Sequence, residues 1–288
     1  MDSENTLTTG GTLIGEYSRA NKIRINESAL VAQLMDSDRD RGIMIDVGAH
    51  VGSALPAFLE KGWKIFAFEP DEKNREILAK RYGNQPNVTI DKRAVSDEPA
   101  EKVQFYTSKE STGISSLASF HKTHEKAGNV SVTTLAKFCE DYKIGHINFL
   151  LVDAEGYDLF VLKGLDWSKI KPDIVVCEFE DRKTDSLGYN FHDMATFLQD
   201  RGYEVLVSEW HPILKYGIAH DWRRLAKYPC VPDSANAWGN LIAFKEIALV
   251  PKLLAVLDRQ IQILSRRSSV LNKVLNTIWR MSLGRLLM

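Results

Sequence analysis

The chain is short of cysteine, of net charge and of long apolar runs, and each shortage closes off a class of protein. Its three cysteines, Cys139, Cys177 and Cys230, form no CxxC pair. That argues against a disulfide framework or a zinc ribbon and fits a reducing compartment, the cytoplasm. Cys177 ends an apolar run from Ile174 and reads as a buried thiol. With 37 basic and 38 acidic residues the net charge is −1, so the whole exerts no strong pull on nucleic acid or an anionic membrane. No stretch approaches the ~18 apolar residues of a membrane span. The opening MDSENTLTTGG lacks the apolar core of a secretory signal and reads as a flexible lead.

What is present is ordinary for a globular protein: 44% hydrophobic and 26% charged residues over 288 positions, enough for one substantial domain with appendages. Leu13 to Met35 reads as helical, and residues 1–41 as an N-terminal helical cap. From Gly42 the rhythm turns to strand and helix in alternation. GIMIDV (42–47), WKIFAF (63–68), Asn87–Asp91, INFLLV (147–152) and IVVCEF (174–179) read as strands. Helices are expected over 54–61, 71–81, 132–141, 157–164 and 193–201, with Gly62 and Gly202 as stops. KVQFY (102–106) alternates like a half-exposed strand, and 203–208 and 241–244 look like late strands. This pattern over residues 42–250 predicts an α/β fold, a doubly wound sheet of parallel strands.

In such sheets ligands meet the carboxyl ends of the strands, and there the polar residues collect. The first strand ends in Asp46-Val47-Gly48-Ala49-His50-Val51-Gly52. Gly48 and Gly52 let the backbone approach a ligand, and the following helix offers amides to a carboxylate. Asp46 is placed to receive a ligand ammonium. His50, inside the turn, is in reach of cofactor or substrate. The second strand ends in Glu69-Pro70. An acid ~20 residues past a glycine turn suits bidentate bonding to ribose hydroxyls, a feature shared by adenosyl cofactors and NAD. The dinucleotide spacing GxGxxG is absent, which disfavours NAD. Ser96 and Asp97 form a short polar turn, either at the adenine edge or simply a turn. The fourth strand ends in Asp153-Ala154-Glu155-Gly156-Tyr157-Asp158 and the fifth in Glu178. Asp153 and Glu155 have two readings, helix caps or site acids. So much acid on one rim suits a cationic cofactor such as a sulfonium, and equally a divalent cation; no metal is assigned.

MIDVGAHVG, IFAFEPDEKN, AVSD, INFLLVDAEGYDLFVLKGL and KPDIVVCEFE, in this order and spacing, resemble the FkbM family of SAM-dependent O-methyltransferases. The resemblance runs from Gly42 to Glu180, with a weaker tail in FHDMATFLQDRGYEVL. It implies a class I, Rossmann-like methyltransferase fold: a seven-stranded, mostly parallel sheet with helices on both faces and one late antiparallel strand, here WGNLIAF (238–244). It implies S-adenosyl-L-methionine as donor, held by Asp46, Gly48, His50, Gly52, Glu69, Ser96, Asp97 and Asp153. It also implies a hydroxyl acceptor, on a sugar of a surface glycan or glycolipid or on a polyketide-like metabolite. Family members often carry a lysine two positions before the motif aspartate; Leu151 stands there. A hydroxyl needs a base, and the candidates are Asp153, Glu155 and His192. The serine-rich loop Thr112 to Ser116 suggests a wall or lid. A SAM-binding scaffold without turnover is the reading from another class.

From Pro251 the composition changes. Leu253, Leu254, Val256, Leu257, Ile261, Ile263 and Leu264 recur at helical spacing. Seven basic residues from Lys252 to Arg285 face only Asp258. Residues 251–288 thus read as a basic amphipathic tail, docked on the body or in a homodimer, or touching the inner face of a membrane through Trp279, Met281 and Leu283. Ser268–Ser269 is expected to divide the helix.

Overall fold

The computed structural model describes residues 11–35 and 42–284, with side chains as far as residue 266. Of the flexible lead expected over residues 1 to about 12, residues 1–10 lie outside them. Strand β1 (Thr12–Gly15) precedes α1 (Glu27–Leu34). Then β2 (Ile43–Val47), α2 (Pro56–Leu59), β3 (Lys64–Phe68), α3 (Glu72–Tyr82) and β4 (Val88–Asp91) alternate. The short β5 (Ala94–Val95) and the hairpin of β6 (Ala100–Ser108) and β7 (His124–Thr133) come next. They are followed by α4 (Leu135–Asp141), β8 (Phe149–Val152), α5 (Asp158–Lys163), β9 (Ile174–Glu180), α6 (Asp181–Thr184) and α7 (Phe191–Gln199). Last are β10 (Glu204–Trp210), β11 (Trp222–Lys227), β12 (Trp238–Phe244) and α8 (Leu249–Gly284).

The apolar strands sit centrally. The main sheet has the order β1-β11-β10-β12-β9-β8-β2-β3-β4. From β9 to β4 every pairing is parallel, and β9 is buried along its whole length, as its unbroken apolar sequence requires. On the other side β12, β10, β11 and β1 follow by antiparallel pairings. The expected seven strands are therefore nine, and the sheet is mixed. WGNLIAF is the antiparallel strand anticipated for it, but β11 and β1 extend the edge beyond. Both hide in sequence. β11 reads WRRLAK, and its arginines are tolerated because Glu209 on β10 takes both of them. β1 lies in a stretch expected to be helical; only Glu27–Leu34 is an α-helix there, capped by Asn26, whose side chain accepts from the Ala29 N–H at 2.9 Å. A second sheet, β5-β7-β6, stands apart.

Helices cover both faces. Phe138, Leu159, Leu162, Phe191, Met194 and Leu198 of α4, α5 and α7 fill one layer. Leu30, Val31, Phe58 and Leu78 of α1, α2 and α3 fill the other, with Leu253, Leu257 and Ile261 of α8. The start of the tail is thus docked on the body. It continues as one helix through Ser268–Ser269, where a break was expected, since serine is only a modestly poor helix former. The side chains of Trp279, Met281 and Leu283 lie outside those described. Among the described residues no helix is long and apolar enough to cross a membrane.

Register decides what meets at the rim. Val47 pairs with Phe68 and with Val152, and Val152 with Cys177. The next residue of each strand, Gly48, Glu69, Asp153 and Glu178, therefore arrives at one level.

Candidate active site

The turn after β2 is folded against its neighbours rather than hanging free. The Gly48 and Ala49 amides both donate to the Phe68 carbonyl, at 3.0 and 2.9 Å. Gly48 has φ +85°, and a Cβ there would lie 1.9 Å from the Asp153 carbonyl oxygen. No other residue fits this crossing of two strand ends. Gly52 serves differently: a Cβ would strike Tyr82 and Leu78 of α3, so this glycine is needed for packing. His50 and Glu155, at the tips of the turns after β2 and β8, are non-glycine residues with φ of +50° and +51°. Each such conformation costs on the order of 1–3 kcal/mol, and such strain collects where geometry serves a ligand.

Glu69 braces this turn. Its Oε2 accepts from the His50 N–H at 2.7 Å and its Oε1 from the Asp71 N–H at 2.8 Å. Each oxygen keeps a lone pair for one more donor. Burial pushes its pKa up to about 8 even though both amides favour the charged form. Asp46 lies below, 2% exposed, and its Oδ2 finds no hydrogen-bond partner among the described residues. Burial first, and Asp153 second, push Asp46 up to about 7. A buried carboxylate oxygen without a donor is a place made for an incoming one.

A pocket opens between these turns, lined by Gly48, His50, Glu69, Asp153, Glu155 and Tyr157. Its far end is apolar, with Ala94, Val95, Phe105 and Leu117 beside Arg93. Ser96 and Asp97 pass beyond it: Ser96 Oγ bonds the Asp97 carboxylate at 3.0 Å, and the Ser96 carbonyl packs on Gly164. The serine loop crosses the pocket as a strap. On the α3 side the Asn74 amide donates to the Thr112 carbonyl and Ser115 Oγ to Asp71, both at 3.0 Å. His50 Nε2 and Thr112 Oγ1 are also 3.0 Å apart. On the β8 side Ser116 Oγ donates to the Glu155 carbonyl at 2.8 Å.

The acids after β8 divide into two kinds. Asp158 is a brace, accepting from the Ala154 and Gly156 amides at 3.2 Å each. Asp153 and Glu155 are not caps: Tyr157 is the N-cap of α5, which has no side-chain cap bond. Glu155 is instead gripped by Lys183 of α6. The Lys183 ammonium, 2% exposed, lies 2.6 Å from Glu155, 2.5 Å from Glu178 and 3.3 Å from Glu180. Burial alone would lower the Lys183 pKa, but Glu155, Glu178 and Glu180 hold it well above the usual lysine value. One ammonium cannot satisfy so many carboxylates. Burial pushes Glu155 up to about 8, and Glu178 well above the usual carboxylate range. Asp153 is shifted upward as well by loss of hydration in the cleft, against the opposing pull of Lys183 and His50, although the residue itself is exposed. Asp153, Glu155 and Glu178 stand close enough for a metal ion, but Lys183 already supplies the cation that two of them share.

The sequence signal missed Lys183, because nothing marks a lysine three residues past a strand-end acid in EFEDRKT. His192 was a candidate base and is not brought to this pocket. It lies on α7, exposed, with Nδ1 3.2 Å from the Tyr228 hydroxyl and its ring against Phe191. A helix face turned away from the strand ends accounts for that.

Residues 46–205 match the family model described as Methyltransferase FkbM domain. The chain belongs to this family. Its cofactor is S-adenosyl-L-methionine, and the site fits that molecule: an unpartnered Asp46 oxygen, a Gly48 cradle that a Cβ would fill, and acid in excess for a cationic ligand. Among solved structures it is similar to an FkbM methyltransferase from Methylobacillus flagellatus, at 16% identity and TM-score 0.42 over 71% of this chain. The chain spans 44% of that protein's length. It is also similar to a precorrin-6Y C5,15-methyltransferase from Geobacter metallireducens, at 14% identity and TM-score 0.40, covering 78% of this chain and 90% of that one. A SAM-dependent methyltransferase from Agrobacterium tumefaciens shows 9% identity and TM-score 0.40 over 75% of this chain and 60% of its own. No curated protein matches the sequence.

Proposed function

We propose that this FkbM-family methyltransferase transfers its methyl group to a hydroxyl, on a sugar of a surface glycan or glycolipid, with Asp153 as the base. The observation that carries the reading is Asp153 itself. It lines the cofactor pocket, is exposed to an incoming acceptor, and caps no helix. A sugar hydroxyl is a poor nucleophile until its proton is taken, and a carboxylate of raised pKa is a better proton acceptor than an ordinary one.

Bound S-adenosylmethionine supplies a methyl carbon already activated by its sulfonium. The protein's work is then chiefly alignment. Asp46 would hold the ammonium of the methionyl end, Glu69 the ribose hydroxyls, and the apolar wall of Val95, Phe105 and Leu117 the adenine. His50, its pKa held below the usual value by burial, stays neutral beside the strap. Asp153 accepts the acceptor proton at its free carboxylate oxygen, and Lys183 stabilises the charge left on the acid cluster. Glu155, tied to Lys183, is the second candidate for that proton.

The test is Asp153→Asn with labelled cofactor and a surface-polysaccharide extract. Turnover is expected to fall by roughly 10²–10⁴ while cofactor binding by calorimetry persists. Undiminished turnover would remove Asp153 from the base role. Cofactor binding without label transfer to any sugar fraction would remove the sugar acceptor.

A further inference from the structure

A second cleft, of about 280 Å³, opens beside the cofactor pocket. Its back wall is Lys183, and the Glu155 carboxylate that Lys183 grips lines the cofactor pocket on the other side. The Lys183–Glu155 ion pair thus has one partner lining each cavity. Aromatic rings flank that wall. The Phe120 ring centre lies 5.6 Å from Lys183 Nζ. Tyr216 donates its hydroxyl to the buried Glu180 at 3.3 Å, and His121 stands edge-on to the Tyr216 ring at 5.3 Å. Rings fixed by packing, with a few convergent polar groups, are the usual lining of a ligand site.

The mouth of this cleft is basic. Lys122 comes from the segment that carries Phe120, and Lys215 from the segment that carries Tyr216. Both are exposed, and neither makes an ion pair among the described residues. Arg182 is already committed to Glu180. The one acid of the lining, Glu110, faces His121 Nε2 at 4.0 Å. Two unpaired ammonium groups converge here from separate segments, in a chain whose net charge is −1 and whose neighbouring interior is acidic. Such a local reversal of sign draws an anion and repels a cation.

We propose that this cleft is the acceptor subsite and that it selects a sugar bearing an anionic substituent remote from the methylated hydroxyl. The inference rests on the sugar hydroxyl acceptor argued above and adds to it a charge requirement. The sugar ring lies between Phe120 and Tyr216, its hydroxyl is turned toward the Glu155 and Asp153 side, and its anionic group is held between Lys122 and Lys215. The shared chemistry is a negatively charged sugar, whose charge is a phosphate, as in a nucleotide- or lipid-linked sugar, or a carboxylate, as in a uronic acid.

Glucose 1-phosphate, glucuronate and methyl glucoside serve as probes, titrated into the full chain saturated with S-adenosylhomocysteine. The charged probes are expected to bind roughly tenfold or more tightly than methyl glucoside, since each gains charge-assisted contacts. The stronger of the two identifies phosphate or carboxylate. The Lys122→Glu/Lys215→Glu double variant is expected to lose the preference while its affinity for S-adenosylhomocysteine is unchanged. Equal binding of the uncharged probe, no binding of any probe, or a preference that survives in the double variant would overturn the proposal. Methyl transfer to uncharged glycans by the wild type would leave the function standing and remove the charge requirement. Loss of label transfer to sugars altogether would fall on the function instead.

Discussion

The protein buries two charge clusters, and they are built on opposite principles. At the sheet edge Glu209, 1% exposed, receives Arg223 at 3.0 Å and Arg224 at 2.7 Å. Glu16 and Asp233 complete the arginines from outside, and the set ties β1, β10 and β11 together. Charge there is nearly balanced. At the strand ends Lys183 serves Glu155, Glu178 and Glu180, only the last of which has a second cation, Arg182, with Asp153, Asp158 and Asp46 close by. Buried charge is expensive unless paired. A cluster that balances itself is scaffolding. One that keeps an excess of acid is waiting for a cation from elsewhere, and a sulfonium with an ammonium is such a partner.

The largest test removes the central charge of each cluster in turn. Lys183→Met should leave Glu155 and Glu178 without a cation, Glu180 keeping Arg182, and destabilise the fold by ~3–5 kcal/mol, lowered only as the acids take up protons. Glu209→Gln leaves arginines that still reach Glu16, Asp233 and solvent, and should cost about 2 kcal/mol. Urea melts of both variants at neutral pH decide this. Equal losses would mean that the site cluster is no more dependent on its lysine than the edge is on its acid.

A test of intermediate size uses pH. Asp46 and Asp158 are pushed up to about 7, and Glu69 and Glu155 to about 8, by burial in each case. Their unfolded values lie near ~4. As pH rises from ~4 to ~8 the unfolded chain gives up these protons before the folded one does, so stability falls across that window. Glu16 runs the other way. Burial tends to raise it, but Arg223 and Arg224 bring it below the usual value. Its contribution is present above the unfolded pKa and is lost as pH falls through the folded one. The Tm of the cofactor-free protein should therefore drop between about pH 6 and pH 8, while the rise in Tm given by S-adenosylmethionine should grow. S-adenosylhomocysteine lacks the sulfonium charge, so its effect should change less. Calorimetric scans that show identical pH dependence for both ligands would break the claim that the rim awaits a cation.

The difference between the clusters was only half legible in the sequence. Asp46, Glu69, Asp153 and Glu178 could be placed at strand ends because the runs before them are apolar and a parallel ladder brings such ends level. The core strands followed from the same signal. What could not be read was pairing. Lys183 joins Glu155 and Glu178 across α6, and Arg223 joins Glu209 across an antiparallel pair, and neither contact leaves a periodicity. β11 was missed because WRRLAK carries the charges that its neighbour neutralises. β7 was missed because HEKAGNVSVT is polar and belongs to a sheet with little core of its own. His192 was overvalued for its chemistry, since α7 turns it toward Tyr228.

The smallest effect tests a feature that only the site cluster has, a cover. The strap is fastened on the β8 side by Ser116, 2% exposed, whose hydroxyl donates to the Glu155 carbonyl and accepts from the Ala118 amide at 3.0 Å. Its main chain also pairs with Tyr106 in both directions at 2.9 Å, so the strap keeps its path without the hydroxyl. Ser116→Ala should thus cost about 1 kcal/mol, felt mainly in opening rather than in global unfolding. If release of S-adenosylhomocysteine requires the strap to lift, the dissociation rate measured by stopped flow should rise by roughly fivefold, the equivalent of that one bond. An unchanged rate in a variant whose melting temperature has barely moved would make the strap a fixed wall.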